Sequence, residues 1–489
     1  MTRNFLGAGI LLSLVSFGYS GEITLHDGWA KLQTDNHALE AARARSEGAQ
    51  ATRMAAYGGF LPVVRLEASV NHMDRDLVMD LNPIRDALIE LQSRDQASLY
   101  VLQQSMAAQA AGQTLTPEQQ AAMSAGARAK AAAAYEASLP PFETVLKEQD
   151  HWTAALSAYQ PLFHGGKILS INRAAAAKSR AAAADTIRQL ADLKRDYAKY
   201  YIQGAMLRRS IALRLEALEA IGHHRDRAKK LVEEGMADRS ALLRADLAVA
   251  EATTALADDS AKLATLQVAL AQLSGSSDPQ LPSDKLPDPP VPPAGPSSDV
   301  SGNPLLASIQ ANREAASSAT WIKAGEFLPE IGAFGKYELH REALSALDPY
   351  WIVGVRGTWT LFRGGTDAMN WKAARSQEAE AVAMHKEATS LLAVQRTRQY
   401  LSWTQARGKW ERMASQESLA FENHRVAELR FQQGQGTSLD VVDAWLSREK
   451  AGLERLAASG EAWNAALEAR WSEGRVDDFG SMWNNGGAR

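Results

Sequence analysis

The stretch YQPLFHGGK, Tyr159–Lys167, is answered 199 residues later by TWTLFRGGT, Thr358–Thr366. Leu162-Phe163-His164-Gly165-Gly166 aligns with Leu361-Phe362-Arg363-Gly364-Gly365, and each copy opens a long Ala-rich run. The offset of 199 then persists: Leu193 matches Leu392, Tyr201 matches Tyr400, and Gly235 in LVEEGMADRS matches Gly434 in RFQQGQGTSL. Upstream, NHALEAAR begins at Asn36 and FLP follows at Phe60-Leu61-Pro62. NPLLASIQ begins at Asn303 and FLP returns at Phe327-Leu328-Pro329, now at an offset of 267. The chain is therefore two copies of one unit, the first carrying 68 extra residues between its FLP and its LF-GG.

Proline placement sets the elements, because proline breaks helix interiors. None occurs between Pro161 and Pro279, or after Pro349. Gly166–Gly235 and Gly365–Gly434 are thus each read as one helix of roughly 100 Å. Apolar residues recur at three and four, as at Leu190, Leu193, Tyr197, Tyr201 and again at Leu263, Leu266, Leu270, Leu273. That is coiled-coil spacing. The glycines Gly235 and Gly434 end those helices and reverse the chain into return helices of about 35 residues. Before each LF-GG the period becomes two. Val64, Leu66, Ala68 and Val70 alternate with Arg65, Glu67, Ser69 and Asn71, and three further segments behave alike. The pattern predicts four strands, about 62–73, 151–162, 330–340 and 351–362, near the length a tilted strand needs to cross a bilayer. Four strands cannot close a barrel, so strands in lipid would have to be pooled by several chains. Trp152, Tyr350, Trp351 and Trp359, near strand ends, suit an interfacial aromatic belt.

The resulting division has a signal peptide at 1–20 and a first repeat at 21–274, with an insert about 74–150 and long helices over 166–274. A Pro-rich linker spans 275–302, a second repeat 303–473 with helices over 365–473, and a polar tail 474–489. Arg3, the apolar run Phe5–Phe17 and the small residues Gly18 and Ser20 carry the signal reading. The chain has 489 residues, a net charge of −4 and no cysteine. Nothing there points to nucleic acid, and thiol chemistry and disulfides are excluded. No Ser/His/Asp order, phosphate loop or ligand-spaced His set appears, so the expectation is no enzyme, no cofactor and no bound metal.

The doubled FLP, the doubled LF-GG, ITLHDGWAKLQTDNHALEAARA from Ile23 and RFQQGQGTSLDVVDAW from Arg430 to Trp445 resemble the TolC family of outer-membrane efflux proteins. The resemblance implies an α+β membrane protein whose three chains pool four strands each into a twelve-stranded barrel. Their antiparallel coiled-coil helices then form a periplasmic tunnel, girdled by the linker and the tail. Partners implied are two further copies of the chain, a periplasmic adaptor, an inner-membrane pump and outer-membrane lipid, serving drug or metal efflux or type I secretion. The turns Gly235 and Gly434, with Gly436, would form the tip that meets the adaptor. Asp440 and Asp443 would ring the constriction with Phe431 beside them. The family's polar tip latch is absent, its positions being Phe431, Gly436 and Ala241, so Arg244, opposite Asp443 in the repeat, is a substitute partner. Phe163, Gly165, Gly166, Phe362, Gly364 and Gly365 would form the strand-to-helix hinge.

Three readings remain local. The acidic pair at 440 and 443 equally suits a helix start beside Ser438. His223 and His224 are read as a solvated helix face. The insert reads as a helical hairpin near 83–112 and 117–138, with Asn82 and Thr116 as caps and Gln119 completing a capping box, acting as a cap, a plug or a passive loop. The alternative for the whole chain is a soluble periplasmic coiled-coil scaffold or adaptor. The bilayer-length strands weigh against it.

Overall fold

A computed structural model describes residues 21–236, 238–283, 285–296, 302–341, 344–345 and 348–485; the signal reading at 1–20 lies outside them. In chain order the first copy runs β1 (Gly21–Ile23), α1 (Leu25–Asp35), α2 (His37–Tyr57), β2 (Val63–His72), β3 (Leu77–Asp80), α3 (Asn82–Ala110), α4 (Pro117–Ser138), β4 (Glu143–Lys147), β5 (Asp150–His164), α5 (Lys167–Glu233) and α6 (Arg239–Ser274). After β6 (Gln280–Pro282) the second runs α7 (Pro304–Ala324), β7 (Glu330–Glu338), β8 (Trp351–Thr358), α8 (Thr366–Gln432), α9 (Ser438–Ser472) and α10 (Val476–Asn485). The repeat is close to literal. α5 and α8 have 67 residues each, α2 and α7 have 21 each, and a 3₁₀ turn follows both shorter helices at Gly58–Phe60 and Gly325–Phe327.

The chain forms two compact units. One holds the residues up to Tyr57, Gly166–Glu326 and Phe362 onward; the other holds Gly58–Gly165 and Phe327–Leu361.

The first unit is helical. Small residues let its helices approach: Ala177, Ala181 and Ala184 of α5 are buried. Polar groups inside it are paired. Ser210, Arg214 and Lys262 donate to the Asp259 carboxylate, and Arg214 also meets Glu449, tying α5 to α6 and α9. Burial would push Asp259 up, but those donors outweigh it and hold the carboxyl below its ordinary range; burial pushes Glu449 up, against Arg214.

The main core lies midway along these helices, where Trp29, Leu32, Tyr197, Tyr201, Leu270, Trp463, Phe479 and Trp483 are all buried. It is clasped by the segments outside the repeat. β1 pairs in parallel with β6, and Tyr201 donates to the Ile23 carbonyl at 2.9 Å. The linker is ordered where it is described. Trp463 Nε1 donates to Pro287 O (2.9 Å) and Trp403 Nε1 to Pro290 O (3.2 Å), supplying donors to carbonyls in a Pro-rich segment that is short of backbone N–H groups. The tail, read as polar, is the amphipathic α10, with Val476, Phe479 and Trp483 turned inward. Gly28 lets α1 lie on Tyr197, since a Cβ there would fall 2.0 Å from the phenol oxygen.

The second unit is a four-stranded antiparallel sheet in the order β2-β5-β7-β8, with a ribbon β3-β4 and the hairpin α3-α4 inserted between its first two strands. The helical hairpin is as expected, except at its start. Asn82 is the first helical residue, not the cap. It binds across the hairpin instead, accepting from Phe142 N and donating to Glu143. The Thr116–Gln119 capping box is present. β3 and β4 are additions to the sequence reading, and β8 stops at Thr358 instead of reaching 362.

Candidate functional site

The sheet carries the first candidate surface. Register aligns Val64, Leu66, Ala68 and Val70 of β2 with Ala158, Leu156, Ala154 and Trp152 of β5. Leu156 meets Tyr337, Ala158 meets Gly335, and these meet Trp351 and Val353 of β8, with Val355 opposite Ala333. Four separate alternations thus become one continuous apolar face. No described residue covers it: Val70 is 87% exposed and Val353 71%. The opposite face gathers Arg65, Glu67, Ser69, Thr153, Lys336, Glu338 and Arg356, with Lys336 paired to Glu338 at 2.5 Å and Ser69 bonded to Thr153 at 2.8 Å. A soluble sheet buries its apolar face and wets its polar one. This sheet leaves its apolar face bare, the arrangement of a strand set with lipid outside and water inside.

The aromatic residues sit at both ends of that face. Trp152, Tyr350 and Trp351 lie at the loop end. Trp152 stacks on His340 at 3.7 Å, and the Arg341 guanidinium lies over Tyr350. Trp359 lies at the other end and donates to Phe327 O at 3.1 Å. Trp351 and Trp359 are eight residues apart, roughly 26 Å of extended chain, against an apolar band of about 25 Å in barrels of this kind. Among the described residues both outer strands, β2 and β8, have an unpaired edge.

The LF-GG motifs mark the boundary between the two units. Gly165 and Gly166 have φ of 57° and 77°, and Gly364 and Gly365 have 59° and 79°. Two successive left-handed residues are open only to glycine at little cost, which is why the pair recurs. Gly166 and Gly365 start α5 and α8. Phe163 and Phe362 are exposed, Phe362 at 82%, and Arg363 pairs with Asp367.

The helix-end turns are again a matched pair. Gly235 (φ 74°) donates to Val232 O and Met236 to Leu231 O; Gly434 (φ 69°) donates to Phe431 O and Gln435 to Arg430 O. This double bond is the Schellman closure, which satisfies carbonyls that the ending helix leaves free. The return helices are capped by Asp238 and Thr437, 199 residues apart. Thr437 caps α9. It forms a capping box with Asp440, whose carboxylate accepts from Thr437 N (2.8 Å) and Oγ1 (2.7 Å). Those bonds hold Asp440 below the usual carboxylate range. Asp440 and Asp443 are both exposed on one face of α9, while Val441, Val442 and Ala444 turn inward. Asp440 is thus partly committed to its helix; Asp443 is not. Arg244 lies exposed on α6, where its charge acts on Asp238, and it makes no ion pair with Asp443 within the chain. Gly436 lies against the end of α8: a Cβ there would sit in van der Waals contact, 3.4 Å from Arg430 Cβ and Phe431 N.

The histidine reading is corrected. His223 is exposed, but His224 is buried, edge-on to Phe431 at 6.3 Å and 3.8 Å from Glu428. His424 stacks edge-on to Trp445 at 5.0 Å. Burial lowers both histidines below their ordinary value; Glu428 opposes this in each, whereas Arg227 and His223 add to it at His224 and Arg448 at His424. Adjacent histidines point about 100° apart on a helix, which lets His224 face α8 while His223 stays in solvent. Among the described residues no three His, Asp or Glu side chains gather as a metal site, and no helix is long and apolar enough to cross a membrane.

Residues 296–469 match the family described as outer membrane efflux protein. No curated protein matches the sequence. Among solved structures the chain is similar to the outer membrane protein VceC of Vibrio cholerae (16% identity, TM-score 0.67, covering 92% of this chain and 96% of that one). It is similar likewise to the MtrE outer membrane channel of Neisseria gonorrhoeae (17%, 0.68, 92% and 89%) and to the CmeC outer membrane channel of Campylobacter jejuni (13%, 0.67, 100% and 98%).

Proposed function

We propose, from the match of its second repeat to the outer membrane efflux protein family, that three copies form an export duct in the outer membrane of a Gram-negative bacterium. The observation that carries this reading is the bare apolar face of the sheet, bounded by tryptophans. An open sheet edge in lipid leaves unpaired backbone groups, each costly, so β2 of one copy pairs with β8 of the next until the sheet closes. A second seam agrees. Met384, Leu391, Val394 and Leu401 of α8 recur at steps of seven, three and seven and are more than half exposed in the single chain. That is a coiled-coil face awaiting another copy.

In this reading the helical unit is a tunnel through the periplasm, and transport is passive conduction. The turns at Gly235, Gly434 and Gly436 form the end that a periplasmic adaptor and inner-membrane pump engage. Asp443, threefold, sets a negative ring near that end, with Asp440 contributing from its cap and Phe431 narrowing the same level. A ring of carboxylates attracts cations. Arg244, brought near a neighbour's Asp443, is the ion-pair partner for the resting tip. Gly165, Gly166, Gly364 and Gly365 turn each strand into its helix at the membrane boundary. A soluble scaffold or adaptor has no use for the bare face. Single-channel recording in planar bilayers tests the reading: stepwise cation-selective conductance from a detergent-extracted trimer is expected, and a detergent-independent monomer without conductance would overturn it.

A further inference from the structure

The inserted hairpin leaves one helix face unexplained. Ile89, Ser93 and Ala97 of α3 are buried toward α4. On the opposite side Ile84, Leu88, Leu91, Leu99, Leu102 and Met106 form a stripe, each between 41% and 63% exposed. The stripe has its own period. Leu88 and Leu99, and Leu91 and Leu102, are eleven apart; so are Ile84, Asp95 and Met106. An eleven-residue repeat is 3.67 residues per turn, so the stripe runs almost straight along the helix and suits packing against a like helix with slight right-handed coiling. Monomeric proteins seldom leave a contiguous apolar strip of this length bare.

We propose that the α3 stripes of three copies pack against one another as a parallel bundle on the symmetry axis, across the outer mouth of the barrel. The inference rests on the trimeric reading above. It commits to a second copy of α3 because the hairpin is tethered at that interface: β2, the strand whose free edge another copy must pair, leads directly through β3 into α3 within the same unit. Threefold symmetry makes the three helices parallel and places like positions at one level. The geometry gives Asp95 a distinct part. It is the one charged residue in the repeat and would meet its copies at the seam, opposing the bundle and keeping it separable.

The absence of cysteine makes the test clean. Leu91→Cys and Leu102→Cys are introduced singly, with Ala129→Cys on the outer, exposed side of α4 as control. Mild oxidation of the trimer in detergent and of intact cells is then read on denaturing gels, and unheated gels report the trimer itself. The expected result is that a disulfide-linked dimer replaces most of the monomer band for both stripe variants, independent of protein dilution, but not for Ala129→Cys. Adding Asp95→Asn to Leu91→Cys raises the yield. An intact trimer whose stripe cysteines do not link, or link no better than Ala129→Cys, overturns the bundle. So does a stripe shielded from a membrane-impermeant maleimide without linking, which would assign the face to lipid. Loss of the trimer on the unheated gel for the otherwise unaltered chain would instead overturn the trimeric reading.

Discussion

Leu156 and Ser157 are neighbours near the middle of β5 and face opposite sides of the sheet. Leu156 shares its row with Leu66 and Tyr337, on the apolar face; Ser157 lies between Arg65 and Lys336, on the polar one. Leu156→Arg therefore places a guanidinium in lipid near mid-depth, which costs about 2–4 kcal/mol per chain in barrels of this type. Three copies make that roughly 6–12 kcal/mol for the assembly. Each 1.4 kcal/mol is tenfold, so the insertion equilibrium falls by about 30- to 1,000-fold per chain. Ser157→Glu adds a charge one residue away, opposite two cations, and each cross-strand pair contributes about 0.2–1 kcal/mol in its favour. The assay is urea unfolding from lipid vesicles, with the heating temperature at which the trimer band is lost as a second readout. Without a bilayer on that face the outcome differs. Leu156 is 42% exposed in the chain, and exposed substitutions change stability by no more than about 0.5 kcal/mol. Equal behaviour of the two variants, or harm from Ser157→Glu alone, would refute the assignment of faces.

Further outcomes follow from the turns and the tip. Gly434→Ala meets no neighbour but forces φ 69° on a side chain, costing about 1–2 kcal/mol; Gly408→Ala, mid-helix in α8, adds about 0.5–1 kcal/mol of stability, both read by thermal melting. Asp443→Asn lowers cation selectivity of the conductance and leaves the start of α9 intact, whereas Asp440→Asn also increases hydrogen exchange at Thr437 and Asp440 by loosening the capping box. The buried His224 and the half-buried His424 have folded values below 6.5, so the unfolded region takes up protons first as pH falls. Their contribution is complete above about pH 6.5 and is lost on acidification below it. Amide protection factors over 224–235, taken relative to the intrinsic exchange rate at each pH, should thus fall on going from pH 7 to 5, and His224→Phe, which keeps the packing on Phe431, should flatten that fall.

Most of the helical unit was legible because its punctuation is chemical: glycines that must be left-handed, prolines that must stay outside helices, and a repeat that fixes both twice. The strands were legible as alternation, but only cross-strand register shows that their apolar sides coincide on one face. What the sequence hid was short or borrowed. β3 and β4 have four and five residues, too few for a period to show. The tail VDDFGSMW opens on two aspartates that give it a polar look, yet Val476, Phe479 and Trp483 at steps of three and four were a helix signal. Asn82 has cap chemistry but spends it across the hairpin on Phe142 and Glu143, a long-range choice that local propensity does not carry. His224 looked solvated because its burial depends on Phe431 and Glu428, about two hundred residues away.

The most direct test is a cryo-electron microscopy map of the protein in a lipid nanodisc. The account expects three chains around one axis, with β2 of each paired to β8 of the next in a closed barrel of twelve strands, and lipid against Val64, Leu66, Leu156 and Val353. A single chain outside the bilayer, or a sheet whose apolar face is covered by helices, would contradict it.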